Sequence, residues 1–258
     1  MRSRRVRLTN IEDLMKDRRR GSLEIFEDAL NILMNMEDPC NHALMLARAH
    51  PEMSALEHLA RAACSGSLIK LRDFFESSKV RLVRTCSKHL SELGVRRVAT
   101  ISRSSSVINC IKEYGPEEVI VSESLPGGEG IETARILNEF GFSVILTKDS
   151  LIPWISMKRG AIGLVGADRV TRTHLINKAG TLALASSVGT VAVAGLLKLH
   201  EGPYEIREVL KDKRGLRYIE ANFDETPLER FNSILFEDMA LKHKEIGRAF
   251  DELRKIIG

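Results

Sequence analysis

The sequence predicts an α/β protein, with an N-terminal helical domain over residues 1–93 and a mainly parallel β-sheet domain over residues 94–258. Two observations carry this. Apolar residues recur at helical spacing up to Gly94, and beyond it short apolar runs alternate with helical stretches. Strand and helix in alternation over about 100 residues mean βαβ units and a parallel sheet with buried strands.

Taken in order, Leu23, Phe26, Ala29, Leu30 and Leu33 form an i, i+3, i+4, i+7 stripe, and "CNHALMLARAH" carries another. Asp38 and Pro39 separate these two helices, and "HPEMS" ends the second. A long helix over residues 68–93 carries Leu71, Phe74, Phe75, Val80, Val83 and Leu90, and stops at Gly94, where glycine adopts a left-handed cap without strain. The strand runs are "RVATI", "EVIVS", "SVILT", "AIGLVGA" and "TVAVAG", with helices expected over 107–114, 131–140, 150–158 and 178–188.

Composition excludes several classes. The chain has 39 basic and 35 acidic residues and a net charge of +4, so it has no concentrated basic field for a nucleic-acid backbone. The basic start "MRSRRVR" reads as a short solvated tail. No apolar run approaches the roughly 20 residues that span a bilayer. No apolar segment follows the N-terminal arginines, so no secretory signal is expected. Cys40, Cys64, Cys86 and Cys110 form no CxxC pair. They read as buried thiols of a cytoplasmic protein. Neither a metal nor an organic cofactor is implied, because no His/Cys/Asp cluster has ligand spacing.

In an open parallel sheet, ligands sit at the carboxyl ends of the strands. Three polar loops fall there. "SRSSS" follows the first strand and contains Ser102, Ser104 and Ser105. "ESLPGGEG" follows the second and contains Glu123 and Gly130. "GADRVTRTHLINKAG" follows the fourth and contains Asp168, Asn177 and Lys178. A strand–loop–helix junction rich in hydroxyls suits an anion. "GGEG" lacks GxGxxG spacing, and there is no GxxxxGK[ST] loop. Asp168 at a strand end suits either a desolvated acid or base or a turn cap. Asn177 and Lys178 are expected to open a helix, as a polar cap or as an anion clamp.

"GAD", then "NKAGT", the upstream "ESLPGGEG" and "FDETP" at 223–227 together resemble one family. It comprises the regulatory subunits of translation initiation factor 2B, their archaeal relatives, and isomerases of ribose 1,5-bisphosphate and methylthioribose 1-phosphate. "RRRGS" at 18–22, with Arg20 and Gly21, resembles the family's Arg-Gly-Ala turn. The resemblance implies a Rossmann-like second domain, a dimer, and a phosphorylated ligand held by Arg20, Gly21, Ser104, Ser105, Asn177 and Lys178. A translation-factor protein partner is a further implication. In the isomerases a cysteine after the first sheet strand and the GAD aspartate form the catalytic pair. The aspartate matches Asp168, but the cysteine position is Ser102. Two arginines of the isomerases correspond to His50, before Pro51, and to Leu125. A serine hydroxyl ionises far less readily than a thiol. The chain is therefore expected to hold a phosphorylated sugar or nucleotide, with sugar-phosphate isomerase activity as the alternative.

Overall fold

The computed structural model describes residues 10–17, 20–202, 204, 206 and 208–257. The basic run at 1–7 and Arg18 and Arg19 of "RRRGS" lie outside them.

The N-terminal segment is helical: α1 (Ile11–Lys16), α2 (Ser22–Leu33), α3 (Pro39–Ala49), α4 (Ser54–Ser65) and α5 (Leu68–Glu92). Phe26, Ala29, Leu30 and Leu33 of the α2 stripe are buried, as the periodicity requires, with Leu23 half-buried at its start, and they join Leu46, Leu56, Leu59 and Phe75 in one core. Residues Leu93 and Gly94 close α5, with Gly94 at φ +62°.

The chain then alternates β1 (Arg97–Thr100), α6 (Ser105–Tyr114), β2 (Glu118–Ser122), α7 (Glu129–Glu139), β3 (Val144–Thr147), α8 (Ile152–Arg159) and β4 (Ile162–Val165). Next come β5 (Arg169–Val170), β6 (His174–Lys178), α9 (Thr181–Ser187) and β7 (Thr190–Val193). A hairpin of β8 (Val209–Lys213) and β9 (Leu216–Glu220) precedes β10 (Phe223–Pro227), β11 (Ser233–Phe236), β12 (Met239–Leu241) and α10 (Ile246–Ile257).

The main sheet has seven strands in the order β12-β11-β7-β4-β1-β2-β3, parallel except for β12. Strand β1 has β2 on one side and β4 on the other, so the order reverses between β1 and β4. The crevice at such a reversal is where the loops splay apart. β5, β6 and β10 form a separate antiparallel sheet beside it.

Residues 178–188 are not one helix. Strand β6 runs to Lys178, pairing with Phe223 of β10, and the helix begins only at Thr181. Pairing with the "FDETP" strand overrides the local helical pattern, and Gly180 at φ +108° makes the break. Asp224 then caps α9, accepting the N–H of Gly180 at 2.7 Å and of Leu182 at 3.1 Å.

The cysteines are not free thiols. Cys40 pairs with Cys64, joining α3 to α4, and Cys86 pairs with Cys110, joining α5 to α6. The second pair is fully buried, whereas Cys64 is exposed. Both link residues on neighbouring packed helices, a proximity that sequence spacing does not reveal. The pairing also removes the sequence argument for a reducing compartment. Among the described residues no helix is long and apolar enough to cross a membrane.

Candidate binding cleft

At the β1/β4 reversal a cleft of about 280 Å³ opens between the sheet edge and the helical segment. The opening residues of two helices line it: Gly21, Ser22 and Leu23 of α2, and Ser104, Ser105 and Ser106 of α6. First-turn N–H groups have no partner within their own helix and carry a partial positive charge, so two such ends at one cleft favour an anion. Ser104 caps α6 with its side chain. Gly21 makes the approach of the two segments possible. A Cβ there would lie 2.8 Å from the carbonyl oxygen of Arg103.

The loop after β1 is rigidly held. Ser102 has φ +69°, costly for a residue with a Cβ, and its N–H donates to Ser124 Oγ at 2.7 Å. Thr133 Oγ1 donates to the Ser102 carbonyl at 2.9 Å. Ser124, at φ +62°, is fixed in turn by Asp149, which accepts the N–H groups of Ser124 and Leu125 at 2.7 and 2.8 Å.

Four cations line the cleft: Arg20, Arg103, Lys178 and Lys198. Arg20 is braced at 2.6 Å by both Asp17 and Asp28, and its buried Nη2 has no hydrogen-bond partner among the described residues. Arg103 lies 3.1 Å from Glu24 of α2. Lys178 pairs with Glu129, the first residue of α7, at 3.0 Å. Both side chains are nearly buried, and Lys178 ends a strand rather than opening a helix as expected from the sequence. Lys198 stands on a 3-10 turn after β7, is 4% exposed, and donates a hydrogen bond to Ser22 Oγ.

Asp168 ends the loop after β4 and lines the cleft. Burial pushes its carboxyl above the ordinary value, opposed by the Lys198 charge and a hydrogen bond from Ser22, with Glu52 and Glu129 adding to the rise. Burial likewise lowers Lys198 to about 8, against the pull of Asp168. The two shifts run in opposite directions and bring the proton affinities of the two groups closer together.

Of the residues named from the sequence, Arg20, Gly21, Ser102, Ser104, Ser105, Asp168, Asn177 and Lys178 all line this cleft. Glu123 and Gly130 do not. Glu123 pairs with Lys148 at 2.8 Å, and Gly130 packs so closely on the Ser122 carbonyl that a Cβ would lie 1.7 Å from its oxygen. His50 is buried on the Leu14 carbonyl at 2.8 Å, and Leu125 is exposed; neither reaches the cleft. Asn177 donates to Thr181 Oγ1 at 3.0 Å, so it also braces the start of α9. Sequence reasoning missed Lys198, Ser22 and Glu52, whereas Arg103 lies in the "SRSSS" loop that it marked as suited to an anion. Lys198 alone left a signal, a lysine inside the apolar run "VAVAGLLKL".

Comparison with known proteins identifies the family and the fold. The model of the "Initiation factor 2 subunit family" matches residues 33–232. A Pyrococcus abyssi protein called translation initiation factor eIF-2B subunit 2-like is 25% identical, covering 88% of this chain and 93% of that protein. The ribose 1,5-bisphosphate isomerase of Methanocaldococcus jannaschii is 26% identical over 75% of this chain and 73% of its own. The crystal structure of the Pyrococcus horikoshii OT3 translation initiation factor eIF-2B superposes with a TM-score of 0.76 at 22% identity, covering 90% of this chain and 95% of that one.

Proposed function

The chain belongs to the initiation factor 2 subunit family, and from that membership we propose that it is an initiation factor 2B-like regulatory protein whose cleft holds a phosphorylated sugar or nucleotide without transforming it. The observation that carries this reading is the convergence of the α2 and α6 N-termini with Lys198 on one small cleft. The phosphate would sit at the helix ends and the hydroxyls against Asp168 and Glu129. Charge-assisted hydrogen bonds to such an anion contribute about 1.5 to 3 kcal/mol each.

Ser102 supports binding over turnover. It occupies the position at which the resembling isomerases carry their cysteine, and a serine hydroxyl ionises far less readily than a thiol. The isomerase reading keeps one argument, the upward-shifted carboxyl of Asp168, which suits proton transfer between adjacent carbons of a sugar. In either case residues 1–93 and 94–258 act as two units closing on the ligand. A homodimer in the cytoplasm, with a translation-factor partner, completes the proposal.

A thermal-shift screen of sugar phosphates and nucleoside monophosphates tests it, with an isomerase assay on every hit. A ligand at 100 times its dissociation constant adds about 2.7 kcal/mol to stability. Hits without turnover support the regulatory reading. Turnover of about 1 to 1,000 per second establishes the isomerase instead. No stabilisation by any phosphorylated compound refutes both.

A further inference from the structure

We propose that Glu237 is a positioning residue: its buried carboxylate holds the turn that presents Lys198 to the cleft and fastens that turn to α5. Glu237 directly follows β11 and is 2% exposed. Its Oε2 accepts the backbone N–H of Leu196 at 2.8 Å. Leu196 opens the 3-10 turn of which Lys198 is the last residue. Its Oε1 accepts the hydroxyl of Ser78, from the middle of α5. One carboxylate therefore joins three pieces of chain remote in sequence.

The local backbone is shaped around it. Gly195 has φ +73°, and a Cβ there would lie 3.3 Å from Leu82 of α5 and 3.4 Å from Glu237 Oε1. The N–H groups of Ala194 and Gly195 both donate to the Leu235 carbonyl, at 3.0 and 3.3 Å. The chain thus reverses tightly between β7 and the turn, with Glu237 at the inside of the bend. An apolar residue at this buried place would avoid the cost of desolvating a carboxylate. What the carboxylate adds is an acceptor for the first N–H of a single-turn helix, which has no acceptor of its own.

The turn carries one polar side chain into the cleft, that of Lys198. Its ammonium donates to Ser22 of α2 and lies within the electrostatic reach of Asp168 in the β4–β5 loop, and a displacement of about 1 Å is enough to degrade such an arrangement. Glu52, Glu129 and Lys178 face the same cleft. Around Glu237 itself the other charges are Arg81 on α5 and Asp238, which pair with each other at 2.7 Å. The link also gives a route by which movement of α5 reaches the cleft.

The inference rests on the anion-binding reading for its purpose, but the test separates the two. The titration of Lys198 is read in the full-length, ligand-free protein by pH-dependent amine acylation and peptide mass spectrometry. Binding of inorganic phosphate is measured in parallel by calorimetry. The wild-type midpoint is expected near 8. In Glu237→Ala the loosened turn admits water to the ammonium, and the midpoint rises by about one pH unit or more. Phosphate affinity falls at least about fivefold. Glu237→Asp, too short to reach Leu196 and Ser78 together, shifts both readings in the same direction and decides the matter if the alanine variant does not fold. A folded variant with unchanged Lys198 midpoint overturns the proposal. If the midpoint moves but wild-type protein binds no phosphate, the positioning role stands and the anion-site reading fails.

Discussion

The ammonium of Lys178, at the end of β6, lies 3.0 Å from the carboxylate of Glu129, at the start of α7, and the two side chains are 5% and 10% exposed. Both residues line the cleft. Removing one member leaves the other charge buried without compensation, which costs about 3 to 5 kcal/mol. Lys178→Ala should therefore lower both stability and affinity for a phosphorylated ligand. Lys178→Met combined with Glu129→Gln should restore most of the stability but not the affinity. Urea denaturation and calorimetry on the three proteins check this, and a fully stable Lys178→Ala would refute it.

Lys198 makes stability depend on pH. Burial lowers its folded value from 10.5 to about 8, while the unfolded chain keeps the ordinary value. Between these limits the unfolded chain holds a proton that the folded chain has lost, so this group makes stability rise with pH. Lys198→Met should lack that rise when the two proteins are compared by denaturation across the same window. Ligand binding runs in the opposite sense. Phosphate affinity should weaken as pH climbs through about 8, because the ammonium that attracts it is lost.

Gly21 is required by contact rather than by backbone strain. Its φ of −67° and ψ of 152° suit any residue, but an added methyl would press on the Arg103 carbonyl from 2.8 Å. Overpacking of this kind costs about 1 to 3 kcal/mol. Gly21→Ala should lower the melting temperature and, by pushing α2 away from the α6 loop, weaken phosphate binding. Unchanged affinity would show that the α2 N-terminus contributes nothing to the site.

The two disulfides should differ in reactivity. Cys64 is exposed, whereas Cys86 and Cys110 are fully buried between α5 and α6. Under graded reductant with alkylation and mass spectrometry, Cys40 and Cys64 should be labelled first. Each bridge closes a loop with a sequence separation of 24, and losing one costs about 3 kcal/mol. Simultaneous labelling of all four cysteines would mean that the protein opens as a whole before either bridge is reduced.

What the sequence determined by itself is the part written in neighbouring residues. The stripe of Leu23, Phe26, Ala29, Leu30 and Leu33 gives α2, and the doubly apolar runs 97–101 and 118–122 give the central strands. Ser104 before a helical stripe gives the cap of α6. From strand–helix alternation alone it follows that the loops containing Ser102 and Asp168 lie at one sheet edge. What only the tertiary structure decided depends on partners far along the chain. Lys178 ends a strand because "FDETP" pairs with it, although its own neighbours read as helix. Cys86 and Cys110 are bonded because α5 lies on α6. Lys198 is a cleft residue because α2 brings Ser22 to it from 176 positions away, and because Glu237 holds its turn against Ser78. Periodicity reports which side of an element is apolar, and it can do so because nearest neighbours set helix and strand geometry. It cannot report which buried charges face one another, because that is fixed only when separate elements pack and exclude water between them.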